Sequence, residues 1–178
     1  MLKRFQTEPG HLSHKAIPGR RAPVKTAGNK KTKLFAKSTH QADIMDAMQY
    51  ARIQMEDPEA RTLYESHAMV KGRTGRSLAL FDYLIAPTIK KIDATKYTGV
   101  VGETIRIRAV DDFMVVTVGV LICNTLGEVI ERGAAVPQIV QDQWVYRIKE
   151  WNDCLAGCTV VVSAHDVAGN VTSQTLEL

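Results

Sequence analysis

The hydrophobic period changes once along this chain, at Pro87, and that change fixes the class of fold. Before it, Ile44, Met48, Ala51 and Met55 recur at i, i+4, i+7 and i+11, the spacing of one face of an amphipathic helix. After it, Thr104-Ile105-Arg106-Ile107-Arg108-Ala109, Trp144-Val145-Tyr146-Arg147-Ile148-Lys149 and Thr159-Val160-Val161-Val162-Ser163-Ala164 alternate with a period of two. The chain therefore reads as mainly β with a small helical module in front.

Asp57-Pro58-Glu59 ends the first helix and starts a second, since Asp caps a helix N-terminus and Pro suits its first position. The second presents Leu63, Tyr64, Ala68 and Met69 and stops near Gly72. A third, near Arg76 to Ile85, carries Leu78, Phe81, Leu84 and Ile85 and must finish before Pro87. Three such helices form a small core of their own.

The run from Val115 to Cys123 is almost wholly apolar and predicts a strand covered on both faces. Turn signals at Tyr97-Thr98-Gly99, Asn124-Thr125-Leu126-Gly127, Asn152-Asp153 and Ala168-Gly169-Asn170 separate the strands, and 159–165 with 171–177 form the terminal hairpin. About seven strands in roughly 90 residues predict an antiparallel β-sandwich of immunoglobulin-like size. Trp144, alternating with Tyr146 and Ile148, belongs in its core; Trp151 lies beyond the strand.

Residues 1–40 carry ten Lys or Arg against one acid, Glu8, a balance of +9 in a chain whose total is +4, so the rest sums to −5. Pro9-Gly10, Pro18-Gly19, Pro23 and Gly28-Asn29 punctuate this stretch, and its apolar residues follow neither period. It reads as an extended basic arm that cannot bury enough surface to fold alone and lies on something acidic. The division expected is therefore arm 1–40, helical module 41–86 and sandwich 87–178.

Two partners suit such an arm. Along a protein subunit it would dock its backbone and the apolar anchors Leu12, Ile17, Val24, Leu34 and Phe35, with Arg20, Arg21, Lys30, Lys31 and Lys33 facing acidic side chains. On nucleic acid the same cations would neutralise phosphates without reading bases. The turns spaced along the arm favour protein.

Several constellations invite chemistry. Asp111, Asp112, Asp166 and Asn170 would offer oxygen ligands to calcium if their loops met, but they lack the spacing of a calcium loop and suit turn capping better. Cys154 and Cys158 form C-x₃-C without a second pair for zinc, and Cys123 makes the total three, so free thiols in a reducing compartment are expected. His11, His14, His40, His67 and His165 are dispersed, and no nucleophile elbow, phosphate loop or dinucleotide fingerprint accompanies them. The expectation is a protein that is not an enzyme, with no cofactor, no metal and no membrane span. The start Met1-Leu2-Lys3-Arg4-Phe5-Gln6 lacks an apolar segment behind its charges, which predicts cytoplasmic synthesis without a signal peptide.

Tyr97-Thr98-Gly99, the run from Gly102 to Phe113, Gly127-Glu128-Val129-Ile130-Glu131-Arg132-Gly133-Ala134, Trp144-Val145-Tyr146 and the run from Ala164 to Asn170 occur in an order that resembles a family of uncharacterised bacterial and phage-associated proteins. In that family a helical segment matching Asp57-Pro58, Leu63-Tyr64 and Asp82-Tyr83-Leu84-Ile85-Ala86-Pro87 precedes the sandwich. The resemblance covers roughly residues 41–178 and implies fold, not activity. It makes a structural protein of a virion or other large particle the first expectation, anchored by the arm, with an accessory nucleic-acid-binding protein as the alternative.

Overall fold

The structure, a computed structural model, describes the backbone from Ala27 and the side chains from Gln41 onward. Among the described residues three helices, α1 (Ala27–Glu56), α2 (Pro58–Val70) and α3 (Gly75–Leu84), precede eight strands. These are β1 (Thr88–Asp93), β2 (Thr104–Val110), β3 (Val115–Cys123), β4 (Val129–Ala134), β5 (Val136–Pro137), β6 (Gln143–Arg147), β7 (Thr159–Asp166) and β8 (Val171–Glu177).

The start of α1 corrects the expectation of an extended arm through residue 40, because Ala27–His40 is helical. Lys30-Lys31-Thr32-Lys33-Leu34-Phe35-Ala36-Lys37 contains no helix breaker, and Lys, Leu and Ala are good helix formers. With the first turns extending an existing helix, no new nucleation cost arises. The Pro-Gly stretches before residue 27 lie outside the described residues.

Helix boundaries follow local chemistry. Asp57 is extended (φ −81°, ψ 120°), as a residue before proline must be, and its Oδ1 accepts from Glu59 N at 2.8 Å. Thr74 caps α3 through Ser77 N, and Gly72 between the helices adopts φ +64°, which glycine alone enters without strain. Gly75 is required by space: a Cβ there would lie 3.1 Å from the backbone nitrogen of Glu65.

The buried helix faces are Ala47 and Ala51 in α1, Tyr64 and Ala68 in α2, and Gly75, Leu78, Ala79 and Asp82 in α3. Met48, Leu63, Met69, Phe81, Leu84 and Ile85, expected inside, are exposed. The stripes are rotated because the packed face of α3 includes a carboxylate, Asp82, which hydropathy alone assigns to solvent. Nor do the helices bury a core of their own. Tyr64, Ala68, Leu78 and Ala79 cluster with Phe113, and Met114 and Val167 pack at the margin, so loops of the β region complete the helical core.

The strands form two four-stranded antiparallel sheets, ordered β1-β2-β6-β5 and β4-β3-β7-β8. Ile105, Ile107, Trp144 and Tyr146 of the first share one buried cluster with Val118, Val120, Ile122, Val160, Val162 and Ala164 of the second. The period-two reading of these segments is thus realised, Trp144 is in the core, and the terminal hairpin is β7–β8. On β3 one face enters the core while Val116 and Thr117 stay exposed, so the apolar run is less covered than expected. β5, a two-residue strand, carried too little pattern to be read.

A buried carboxylate ties the sheets together. Glu131 of β4 accepts from Tyr146 Oη of β6 at 2.6 Å and from the amides of Lys149 and Glu150 at 2.8 and 3.2 Å. Gly133 leaves room for this, since a Cβ would approach the Tyr146 ring to 3.0 Å.

Three substitutions test this core. Trp144→Ala should lower unfolding free energy by ~3–5 kcal/mol in urea melts, and a cost near zero would place the ring outside the core. Glu131→Ala should cost about 2–4 kcal/mol by orphaning the buried Tyr146 hydroxyl and two partly buried amides, against about 1 kcal/mol for Tyr146→Phe, which leaves two donors on the carboxylate.

Candidate functional site

The helices meet the sheets through a small polar junction. At the β7–β8 turn Asp166 Oδ1 accepts from Asn170 N at 2.7 Å and Oδ2 accepts from Asn170 Nδ2 at 2.8 Å, which holds the asparagine side chain upright. The same Nδ2 donates to the carbonyl of Asp82 at 2.9 Å and lies 3.3 Å from that of Tyr83, near the end of α3. On the helical side Tyr64 Oη donates to Asp82 Oδ2 at 2.6 Å, and Tyr50 Oη lies 2.9 Å from Tyr64 Oη. With the Tyr64 proton committed to Asp82, Tyr50 is the donor to Tyr64. A hydroxyl chain thus runs from α1 through α2 to α3.

The β2–β3 loop closes the junction. Asp111 Oδ2 accepts from the amides of Phe113 and Met114 at 2.8 and 3.0 Å, and this places the Phe113 ring on Tyr64 with centroids 4.3 Å apart. Beside it Asp112 pairs with Arg73 at 2.7 Å and with Lys71, which also donates to its backbone carbonyl. Arg73 in turn covers the Phe81 ring. Asp111, Asp166 and Asn170 therefore act as turn residues, and Asp112 as an ion-pair partner. Among the described residues no three His, Cys, Asp or Glu side chains are grouped to hold a metal ion.

Burial dominates the electrostatics here. Desolvation pushes the Asp82 carboxyl up to about 6, against the lowering by the Tyr64 hydroxyl, and the charges of Asp166, Asp111 and Asp112 add to the rise. Burial likewise raises Asp111, with Asp166 contributing. Tyr64 is driven far above an ordinary phenol by burial and by its bond to Asp82, and Tyr50 is raised by burial as well. Asp82 Oδ1 and Asp111 Oδ1 are both buried without a hydrogen-bond partner among the described residues. Sequence reasoning named Asp82 only within a family-like segment, without a role, and did not single out Tyr50. The available signal was the i, i+3, i+4, i+7 series Gly75, Leu78, Ala79, Asp82, in which an acid completes an otherwise small and apolar stripe.

A groove of about 490 Å³ runs between α2 and the first sheet, with His67, Lys71, Asp111, Asp142 and Trp144 in its walls. Ser66 Oγ and His67 Nδ1 lie 3.3 Å apart, and both bond back to the Leu63 carbonyl, at 2.8 and 2.9 Å, so the Nδ1 that faces the serine is the one that donates to the backbone. That arrangement stabilises the helix and does not set up a serine for attack through the histidine. At another surface of the β region Trp151 is exposed, Cys154 is an exposed free thiol, and Cys158 is buried with its Sγ donating to the Cys154 carbonyl.

Of the residues expected to bind a partner, Leu12, Ile17, Arg20, Arg21 and Val24 lie outside the described residues. Lys30, Lys31, Lys33, Leu34 and Phe35 lie on the helical backbone of α1, with side chains outside the described set. Further along α1, Met45, Met48 and Ile53 are 65%, 42% and 50% exposed. Met45 and Ile53 lie roughly opposite the buried Ala47 and Ala51, whereas Met48, three residues before Ala51, sits at the edge of the packed face. The sequence reading placed Met48 and Ala51 on one buried face; Ala51 is buried, Met48 is exposed, and Ala47, outside that reading, is buried as well. No helix among the described residues is long and apolar enough to cross a membrane.

No family model matches the chain, and no curated protein matches it. Among solved structures, a crystal structure of an engineered protein aligns with 22% identity and a TM-score of 0.37, covering 50% of this chain and 19% of that one. The chain thus spans a small part of that protein's length, and a likeness at this level carries no argument about fold or function.

Proposed function

We propose that this protein is a non-enzymatic structural and interaction component of a large assembly, such as a phage particle or a phage-derived machine, held in place by its basic N-terminal segment and by α1. The observation that carries this reading is the division of labour on α1. Its small residues, Ala47 and Ala51, pack inward, while Met45 and Ile53 face outward on the opposite side and Met48 lies exposed at the edge of the packed face. A helix with apolar residues on both faces has more than one surface to cover. Residues 1–40, with +9 against −5 for the remainder, add an electrostatic preference for an acidic partner surface.

The β region supports a presenting rather than a chemical role. Its strand orders, β1-β2-β6-β5 and β8-β7-β3-β4, follow the A-B-E-D and G-F-C-C′ orders of immunoglobulin-like sandwiches. We take the fold as immunoglobulin-like on that ground, and such sandwiches serve recognition and assembly by analogy. The same charge balance favours a second reading, an accessory nucleic-acid-binding protein, and salt separates the two.

Replacing Met45, Met48 and Ile53 together by Ser should leave the thermal unfolding of the protein unchanged and reduce its co-sedimentation with the assembled particle by about 10- to 100-fold, the equivalent of a few exposed apolar side chains buried on docking. Unchanged co-sedimentation contradicts the role given to α1. Arg20→Ala with Arg21→Ala should weaken incorporation less than Leu34→Ser with Phe35→Ser. The reverse ranking, with retention of the full chain on bare duplex DNA at physiological salt and a slope of ~0.9 per phosphate contact, supports the nucleic-acid reading instead.

A further inference from the structure

The junction between helices and sheets gathers carboxyl groups that turn chemistry does not fully explain. Asp82 is wholly buried and Asp166 almost so, and the inner oxygens of Asp82 and Asp111 have no partner among the described residues. The cations nearest this cluster, Arg73 and Lys71, are taken up by Asp112. A buried carboxylate with one oxygen unbonded and other carboxylates beside it is costly when ionised and far less so when it holds a proton.

We propose that this junction is a proton-operated latch: with a proton on Asp82 the helices α2 and α3 are held tightly against the β2–β3 loop and the β7–β8 turn, and loss of that proton loosens them. The groups that face Asp82 come from every element packed on it. Tyr64 from α2 donates to Oδ2 and is backed by Tyr50 from α1; Asp166 and Asn170 stand at the β7–β8 turn; Asp111 and Asp112, the latter paired with Arg73 and Lys71, stand on the β2–β3 loop. On ionisation Asp82 would keep its Tyr64 bond but face Asp166 and Asp111 as like charges. Asn170 ties the Asp82 carbonyl to Asp166 itself, so the repulsion acts across the bond that joins the helices to the sheets.

The direction with pH follows from linkage. Asp82 holds its proton up to about 6 in the folded chain, above an unfolded carboxyl. The folded state therefore binds more protons between about pH 4 and 6, and the stabilisation is full below about pH 4 and lost as pH rises through about 6. Asp93 and Glu103, held low by hydrogen bonds from Thr95 and Thr98, act in the opposite direction only at lower pH. His67, edge-on to Phe113, stands beside the same loop and serves as the control for the test.

Amide hydrogen exchange of α2 and α3 in the full chain, corrected for intrinsic rates, tests the latch between pH 5 and 8. The opening constant of these helices should rise about 10-fold across that range, most of it below pH 7, while the amides of β3 and β7 change less. Asp82→Asn should flatten the dependence, and Asp111→Asn, which removes one neighbouring charge, should move its midpoint to lower pH. His67→Gln should leave the slope intact. The proposal is overturned if the wild-type opening constant is flat, if Asp82→Asn keeps the slope, or if His67→Gln abolishes it. Restoration of full protection at pH 8 by calcium alone would also overturn it, identifying a cation rather than a proton as the occupant.

Discussion

The side-chain amide of Asn170 ties the last turn of α3 to the β7–β8 turn, beside the Arg73–Asp112 pair and the Phe113–Tyr64 stack that also join the helices to the sheets. It is clamped by Asp166 within its own turn and reaches the Asp82 and Tyr83 carbonyls near the end of α3. Without it the last turn of α3 would present carbonyls that have no helical partner, as every helix C-terminus does. The apolar side of the same contact is Phe113 on Tyr64, fixed by the Asp111 cap. Polar and apolar anchors thus come from neighbouring loops of the β region, and the helices are stable as an addition to the sheets rather than as a bundle.

That dependence explains which parts of the fold were legible. Alternation in β2, β6 and β7 and the cap at Asp57 are local signals, and the structure realises them. The helix faces were not local. Leu63, Met69, Phe81 and Leu84 are more hydrophobic than Ala68, Ala79 or Asp82, yet the latter are buried because close approach and a waiting hydroxyl decide the packing. The helical state of Ala27–His40 was obscured by its charge and by Gly28, although its Lys, Leu and Ala content suited a helix.

The candidate site was half visible. Asp111, Asp166 and Asn170 stood out as turn residues, and their bonds to neighbouring backbone are of that kind. That the two loops converge on a third carboxylate depends on tertiary placement, which spacing along the chain does not encode. The same placement separates two tasks. In the function proposed, the outward face of α1 and the basic segment before it serve association; in the latch proposed, the interior carboxyls set how firmly the helical layer is held.

The charge state of Asp82 is the point on which this account turns. A carbon-detected NMR titration of its carboxyl in the full-length protein measures it directly. The account predicts a midpoint near 6, displaced upward by burial and by Asp166 and Asp111. A midpoint near 4, the range of an ordinary exposed aspartate, would contradict it.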